Sequence, residues 1–338
     1  MSKKRIAING FGRIGRLTLR KLMSNPNVDV VAINDLTDVD TLTYLFKRDS
    51  IHGSYPGDVS SELGRLFIDE HSIAVLSERN PEKLPWAQLE IDLVIECTGI
   101  FRDREGAGKH LAAGAKRVVI SAPAQGDIPT VVLGVNEDIL TGEETIVSNA
   151  SCTTNCLAPM VKVLDNAFGI QKGYITTIHA YTADQSLHDS PHKDLRRARA
   201  AAENMVPTST GAAIAVGKVL PELAGRLDGI AVRVPVPTGS ITDFVAILDE
   251  EVTKEQINAA FEKAASEGMN GIVDYCVDPI VSSDIVSDNH SCIFDSELTS
   301  AQGNLVKVFG WYDNEMGYAS RLAQLAEAMC TNPERVNS

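Results

Sequence analysis

Two hydrophobic rhythms run along this chain, and the places where one gives way to the other outline its architecture. Arg5-Ile-Ala-Ile-Asn9 is a short apolar strand, after which Ile14, Leu17 and Leu22 recur on one side of a helix. Asn25-Pro26-Asn27 breaks that helix, and Val28-Asp-Val-Val-Ala-Ile33 follows as a second strand. Further apolar runs at Ile91–Cys97, Val118–Ser121, Val131–Leu133 and Thr145–Ser148 are separated in several places by helical stretches. Strands alternating with helices predict an α/β, doubly wound, mainly parallel sheet of the Rossmann type.

Past residue 150 the rhythm changes. Ser151 is placed to cap a helix in which Leu157, Val161, Leu164 and Phe168 repeat at helical spacing, with Pro159 expected to kink it. Gly173–Thr182, Gly229–Pro235, Ser240–Leu248 and Asn304–Phe309 read as strands, with a helix over Lys254–Ser266 between them. This order predicts an α+β domain with a mainly antiparallel sheet. Tyr318, Leu322, Leu325 and Met329 mark one face of a last helix. With no repeat, low-complexity tract or Gly/Ser linker, the expected division is 1–150, joined by a C-terminal helix over 316–338, and 151–315.

Composition narrows the possibilities. The 338 residues suffice for two cores of ordinary size, and the 44% hydrophobic content includes no run able to span a bilayer. Met1-Ser-Lys-Lys-Arg leads into the first strand rather than a signal sequence, so a cytoplasmic location is expected. A net charge of −14 argues against nucleic acid or anionic membrane as partner. Six cysteines lie at 97, 152, 156, 276, 292 and 330 without C-x-x-C pairing, which indicates neither a metal site nor a disulfide framework.

Two stretches carry chemistry. The first strand runs straight into Gly10-Phe-Gly12-Arg-Ile-Gly15, and the second ends at Asn34-Asp35, an acid 35 − 15 = 20 residues past the last glycine. That is the dinucleotide fingerprint in its proper context: glycines for close backbone approach, a helix N-terminus for pyrophosphate and a carboxylate for the adenosine ribose. The second stretch, Ser148-Asn-Ala-Ser-Cys152-Thr-Thr-Asn-Cys156, puts a thiol in the first turn of a helix. There the helix dipole favours thiolate. His179, at the polar end of its strand, is the candidate base, and an ion pair with Cys152 is the expected arrangement. Cys156, one turn further in, reads as core. Thr98-Gly99, after a strand, is expected to line the cofactor cleft.

Together with Pro207-Thr-Ser-Thr-Gly-Ala-Ala213 and Trp311-Tyr-Asp-Asn-Glu-Met-Gly-Tyr318, these motifs make the chain resemble the phosphorylating glyceraldehyde-3-phosphate dehydrogenases over its full length. The resemblance implies oxidation of glyceraldehyde 3-phosphate with NAD through a Cys152 hemithioacetal and thioacyl enzyme. His179 would be the base, and inorganic phosphate would cleave the thioester. It implies phosphate-binding roles for Ser151, Thr153, Thr182, Arg197, Thr210, Gly211 and Arg233. For the cofactor it implies Arg13 and Ile14 at the phosphate turn, Asp35 at the ribose, Arg79 and Ser121 near the adenine and linker, and Asn314 at the nicotinamide amide. A homotetramer is implied as well. Arg196 and Arg199 keep the reading of a solvated or interface helix face. Ser190 stands where many NAD-specific members carry leucine, and Thr238-Gly-Ser240 where others have Asn-Val-Ser. An erythrose-4-phosphate dehydrogenase, or a binding protein that uses the fold without turnover, remains an alternative.

Overall fold

The computed structural model describes residues 3–331. Its contacts divide the chain into two units. One takes the chain up to Val131, Glu137–Ala150 and the chain from Ala319 on; the other takes Val132–Asn136 and Ser151–Tyr318.

The first unit is built on β1 (Lys4–Asn9), α1 (Arg13–Leu22), β2 (Val28–Asn34), α2 (Val39–Lys47), β3 (Val59–Glu62), β4 (Arg65–Ile68), β5 (His71–Leu76), β6 (Leu93–Glu96), α3 (Arg104–Ala112), β7 (Arg117–Ile120) and β8 (Ile146–Ser148). The sheet order is β3-β4-β5-β2-β1-β6-β7-β8, parallel from β5 to β8 with an antiparallel edge at β3 and β4. The order reverses at β1 and β6, the switch point where ligands sit outside the carboxyl ends of the strands. All four residues of β6 are buried, as an inner parallel strand requires. Ala7, Ala32 and Val94 pack with Trp86, Ile91 and Ala113 in one core cluster.

Val131–Leu133 is not the strand its apolar run suggests. Only Thr130 bridges to Ser148. Val131 N–H donates to the Ser148 carbonyl at 2.8 Å, and then Val132 N–H turns to the Asn136 side chain at 2.8 Å. The three residues are apolar because they are buried. The following Val132–Asn136 segment groups with the second unit, where Lys162 donates to the carbonyls of Gly134 and Val135 at 3.1 and 2.6 Å.

The second unit comprises α4 (Cys152–Phe168), β9 (Ile170–Ala180), β10 (Val206–Ser209), α5 (Ala212–Val219), β11 (Leu227–Val234), β12 (Ser240–Leu248), α6 (Lys254–Ser266), β13 (Val273–Cys276), β14 (Cys292–Asp295), β15 (Ser300–Gln302) and β16 (Leu305–Tyr312), and leads into α7 (Met316–Thr331). Its sheet runs β10-β11-β9-β12-β16-β14-β13, with β15 on β16. It is mainly antiparallel, with β9–β11 and β13–β14 parallel. The helix α4 is buried along most of its length and passes through Pro159. Phe261 of α6 stacks on Phe294 of β14 at 3.8 Å. Lys193–Arg199 forms turns rather than a helix, pinned by Arg199 to Asp189 at 2.9 Å. The expected last helix is α7; residues 332–338 lie outside the described residues.

Candidate active site

The three fingerprint glycines have different physical reasons. At Gly10 φ is +91°, and a Cβ there would lie 2.8 Å from the backbone of Cys97 and Thr98. A Cβ on Gly15 would lie 2.3 Å from the Gly10 carbonyl oxygen. Gly12 faces open space, with nothing within 4 Å, and caps α1 without a side-chain bond. Two glycines therefore close the turn, and the middle one leaves room beside the N–H groups of a helix start, a fit for pyrophosphate. Asp35 Oδ2 accepts from Phe11 N–H at 2.8 Å and Oδ1 from Thr37 N–H at 2.9 Å, so the acid is held on the same turn. Ile14 lies half-buried in the first turn of α1. Arg13 is paired with Asp49 at 2.5 Å. Burial works to raise the Asp49 pKa, but the His52 and Ile51 N–H groups and Arg13 outweigh it and hold the carboxyl at about 2. Thr98 and Ser121 follow β6 and β7 at the carboxyl edge of the sheet, and Arg79 is exposed after β5.

In the second unit, a sharp turn presents the thiol. Ala150 carries φ of +56°, an unusual value for a residue with a Cβ, and Ser151 Oγ accepts from Thr154 N–H at 3.1 Å as the expected N-cap. Cys152 is thus the first residue of α4. Its Sγ lies 3.4 Å from His179 Nε2, near the end of β9. The imidazole Nδ1 is 2.7 Å from the Ala180 carbonyl, an acceptor only, so Nδ1 carries a hydrogen and Nε2 offers its lone pair to the thiol.

Burial opposes charge on either partner alone. It pushes the Cys152 thiol up, against the pull of Arg233 and Thr153. It pushes His179 down to about 3, with Arg233 acting in the same direction and the Ala180 carbonyl against it. This corrects the expectation of a thiol lowered by the helix N-terminus: desolvation is the larger influence. Proton transfer across the 3.4 Å Sγ–Nε2 contact would leave the two charges adjacent, a smaller cost than isolating either one.

Arg233 is a register partner of His179 across the parallel β9–β11 pair. Its Nη1 donates to Thr182 Oγ1 at 2.8 Å and to the Ala180 carbonyl at 3.3 Å. Arg197 Nε donates to Thr208 Oγ1 at 2.9 Å and Nη2 to the Ser209 carbonyl at 3.3 Å, just before Thr210 and Gly211 at the start of α5. Asp184 joins these groups, accepting from both Thr182 and Arg197. The sequence reading missed it; an acid beside two cations gives no signal until the fold brings them together. Thr153 is buried, its hydroxyl 3.0 Å from Tyr312 OH, which is also 2.9 Å from Thr177 Oγ1. Tyr312 in turn lies edge-on to the His179 ring at 5.9 Å.

Asn314 has its amide orientation fixed. Its Oδ1 accepts from Ser240 Oγ at 2.9 Å and Gly239 N–H at 3.2 Å, which leaves the amide nitrogen as the donating end. A donor of that kind fits a carboxamide oxygen. Thr238 and Gly239, the departures in sequence, thus bond around this turn, Thr238 Oγ1 donating to Asp313 at 3.0 Å and Gly239 N–H to Asn314.

A dinucleotide turn in one unit and a thiol–imidazole pair with cations in the other fit the class of NAD-linked dehydrogenases. Comparison with known proteins gives the particular family. Residues 4–104 match the NAD binding domain of glyceraldehyde 3-phosphate dehydrogenase, and residues 151–314 match its C-terminal domain. The chain is 56% identical to glyceraldehyde-3-phosphate dehydrogenase of Streptomyces coelicolor, over 95% of this chain and 97% of that protein. It is 55% identical to glyceraldehyde-3-phosphate dehydrogenase 2 of Streptomyces avermitilis over the same shares, and 54% identical to the Clostridium acetobutylicum enzyme over 95% and 96%. The chain belongs to the glyceraldehyde-3-phosphate dehydrogenase family, and its cofactor is NAD. None of the described helices is long and apolar enough to cross a membrane.

Proposed function

We propose that this chain oxidises glyceraldehyde 3-phosphate to the acyl phosphate, with Cys152 as nucleophile and His179 as base. The observation that carries the reading is the 3.4 Å approach of Cys152 Sγ to a His179 Nε2 whose lone pair faces it. His179 takes the thiol proton as Sγ bonds to the aldehyde carbon and passes it to the carbonyl oxygen, which becomes the hemithioacetal hydroxyl and leaves Nε2 free; that hydroxyl then gives its proton back to Nε2 as hydride leaves the same carbon and the thioacyl enzyme forms. NAD, when bound, supplies the hydride acceptor, with Asp35 at its ribose, Gly12, Arg13 and Ile14 at its pyrophosphate and Asn314 at its carboxamide. Inorganic phosphate then displaces Sγ from the acyl carbon.

Thr182 and Arg233, already bonded to each other, and Arg197 beside Thr208 supply the fork-shaped and hydroxyl donors that two phosphate groups need. Ser151, Thr153, Thr210 and Gly211 complete that set, and Arg79, Thr98 and Ser121 the cofactor set. The reading extends to a homotetramer in the cytoplasm, with residues 1–150 as the cofactor domain and 151–315 as the catalytic one.

The test is NADH formation from glyceraldehyde 3-phosphate with and without phosphate, repeated with erythrose 4-phosphate. Phosphate-dependent turnover that prefers the triose is the expected result. Preference for the tetrose would move the chain to the alternative substrate, and no turnover of either would overturn the enzymatic reading.

A further inference from the structure

One buried hydroxyl joins the thiol's helix to the histidine's strand. Tyr312, the last residue of β16, is 1% exposed, and its OH lies 3.0 Å from Thr153 Oγ1 and 2.9 Å from Thr177 Oγ1. Thr153 follows Cys152 on α4, and its hydroxyl reaches on to Cys152 Sγ as a hydrogen-bond donor. Thr177 stands two residues before His179 on β9, on the same face of the strand, and its hydroxyl has a second acceptor, the Ile241 carbonyl, at 3.5 Å. Three hydroxyls in a row, each with one hydrogen, can be ordered in two ways. In one, Thr177 donates to the Ile241 carbonyl, Tyr312 to Thr177 and Thr153 to Tyr312. In the other every hydrogen turns round: Thr177 donates to Tyr312, Tyr312 to Thr153 and Thr153 to Sγ.

A thiolate favours the second ordering. A negative sulfur attracts the hydroxyl hydrogen, each bond in the row polarises the next, and what is given up is the long bond to Ile241. We propose that Tyr312 is a positioning residue for the nucleophile: through Thr153 it turns the row of hydroxyls toward Cys152 Sγ when the thiol gives up its proton, and so helps to hold the sulfur's charge. The groups that bear on Sγ are His179 from β9, Arg233 from β11 and Thr153 from α4. Arg233, Asp184 and Arg197 bear in turn on His179, and Cys152, Cys156 and the His179 ring on Tyr312. Tyr312 stays neutral, because burial and the two cysteines push its hydroxyl above the usual tyrosine range, so it answers the charge by rotation alone. The Thr153 hydroxyl is released for phosphate later, since a thioacyl sulfur carries no charge. The proposal rests on the reading of Cys152 as nucleophile.

The experiment is the pH profile of iodoacetamide alkylation of the whole enzyme, with the label located by peptide mapping. Tyr312→Phe keeps the ring against His179 and removes the hydroxyl. The alkylation pKa of Cys152 should rise by ~0.5, which slows labelling below it ~3-fold. Thr153→Val removes the donor nearest the sulfur and should raise it by ~1, while Thr153→Ser, which keeps a hydroxyl, should give the wild-type profile. In the Thr153→Val background Tyr312→Phe should add nothing, because the row no longer reaches the sulfur. Should Tyr312→Phe not fold, 3-fluorotyrosine at position 312, a stronger donor, should lower the pKa, a direction that loosened packing does not give. Label on Cys152 with an unmoved profile in Tyr312→Phe, or in the fluorinated protein, overturns the role. An equal rise from Tyr312→Phe with and without Thr153 overturns it too, since that is general loosening, as does a Thr153→Ser protein that shifts like Thr153→Val. Label on another cysteine would remove the nucleophile reading and the proposal with it.

Discussion

At the scale of single residues, company sets the thiol at 152 apart from the other cysteines, whatever their burial. Burial pushes Cys97 and Cys330 up to about 12, and a hydrogen bond with Cys156, together with burial, raises the free Cys292 well above the usual thiol range. Cys152 is raised as well, yet it has an imidazole lone pair 3.4 Å away and Arg233 acting against the shift. Stoichiometric alkylation at neutral pH should therefore label Cys152 and abolish activity. His179→Asn removes the proton acceptor, so the alkylation pKa should rise further, each unit slowing labelling below it about 10-fold. The hydride step should slow by ~10²- to 10⁴-fold, the usual worth of a positioned base. Peptide mapping and the pH profile of labelling check both; label on Cys156 or Cys292, or an unmoved profile in the histidine variant, would refute the pairing. The sequence made this pair legible as a helix-start cysteine and a strand-end histidine. It could not give the balance between dipole and desolvation, which depends on how much protein surrounds Sγ.

Secondary-structure elements were legible where rhythm and punctuation agree. β1, α1 and β2 follow their apolar runs because Gly10–Gly15 and Asn25–Asn27 bound them. Val131–Leu133 misled because burial and strand pairing leave the same apolar trace in three residues. The short edge strands β3 and β13, and β15 on β16, gave little signal, since such strands carry mixed polar sequence, and β4 is only four residues long. The fingerprint gives a prediction at this scale. Gly15→Ala forces a Cβ to 2.3 Å from the Gly10 oxygen, whereas Gly12→Ala meets nothing within 4 Å. The first should destabilise the protein by ~1–3 kcal/mol, as overpacking does. The second should leave thermal unfolding nearly unchanged while weakening NAD binding, because its methyl occupies the approach to the helix N-terminus. Melting curves with and without NAD separate the two. A Gly12→Ala protein that binds NAD normally would show that this turn does not face the cofactor.

At the scale of the whole molecule, the question is why an oxidation that water could finish should need a second anion site. The cations around His179 are arranged unequally. Arg233 is tied to Thr182 and to the Ala180 carbonyl that also orients His179, so it bears on the proposed nucleophile's partner as well as on the phosphate it is proposed to hold. Arg197 is anchored instead on Thr208, Ser209 and Asp184. A phosphate arriving there competes with the Asp184 carboxylate for the same guanidinium. Sustained NADH production should accordingly require phosphate or arsenate, with a burst of about one equivalent per active site in their absence as the thioacyl enzyme accumulates. Arg197→Leu should slow phosphate-dependent turnover more than it reduces the burst. Arg233→Leu should reduce both, because it loosens the His179 end of the site along with the anion. Stopped-flow absorbance resolves burst from steady state in one trace. Equal losses in both phases for Arg197→Leu would place that arginine at the substrate's own phosphate, and rapid steady turnover to the free acid in phosphate-free buffer would overturn the phosphorylating chemistry while leaving the Cys152 and NAD assignments standing.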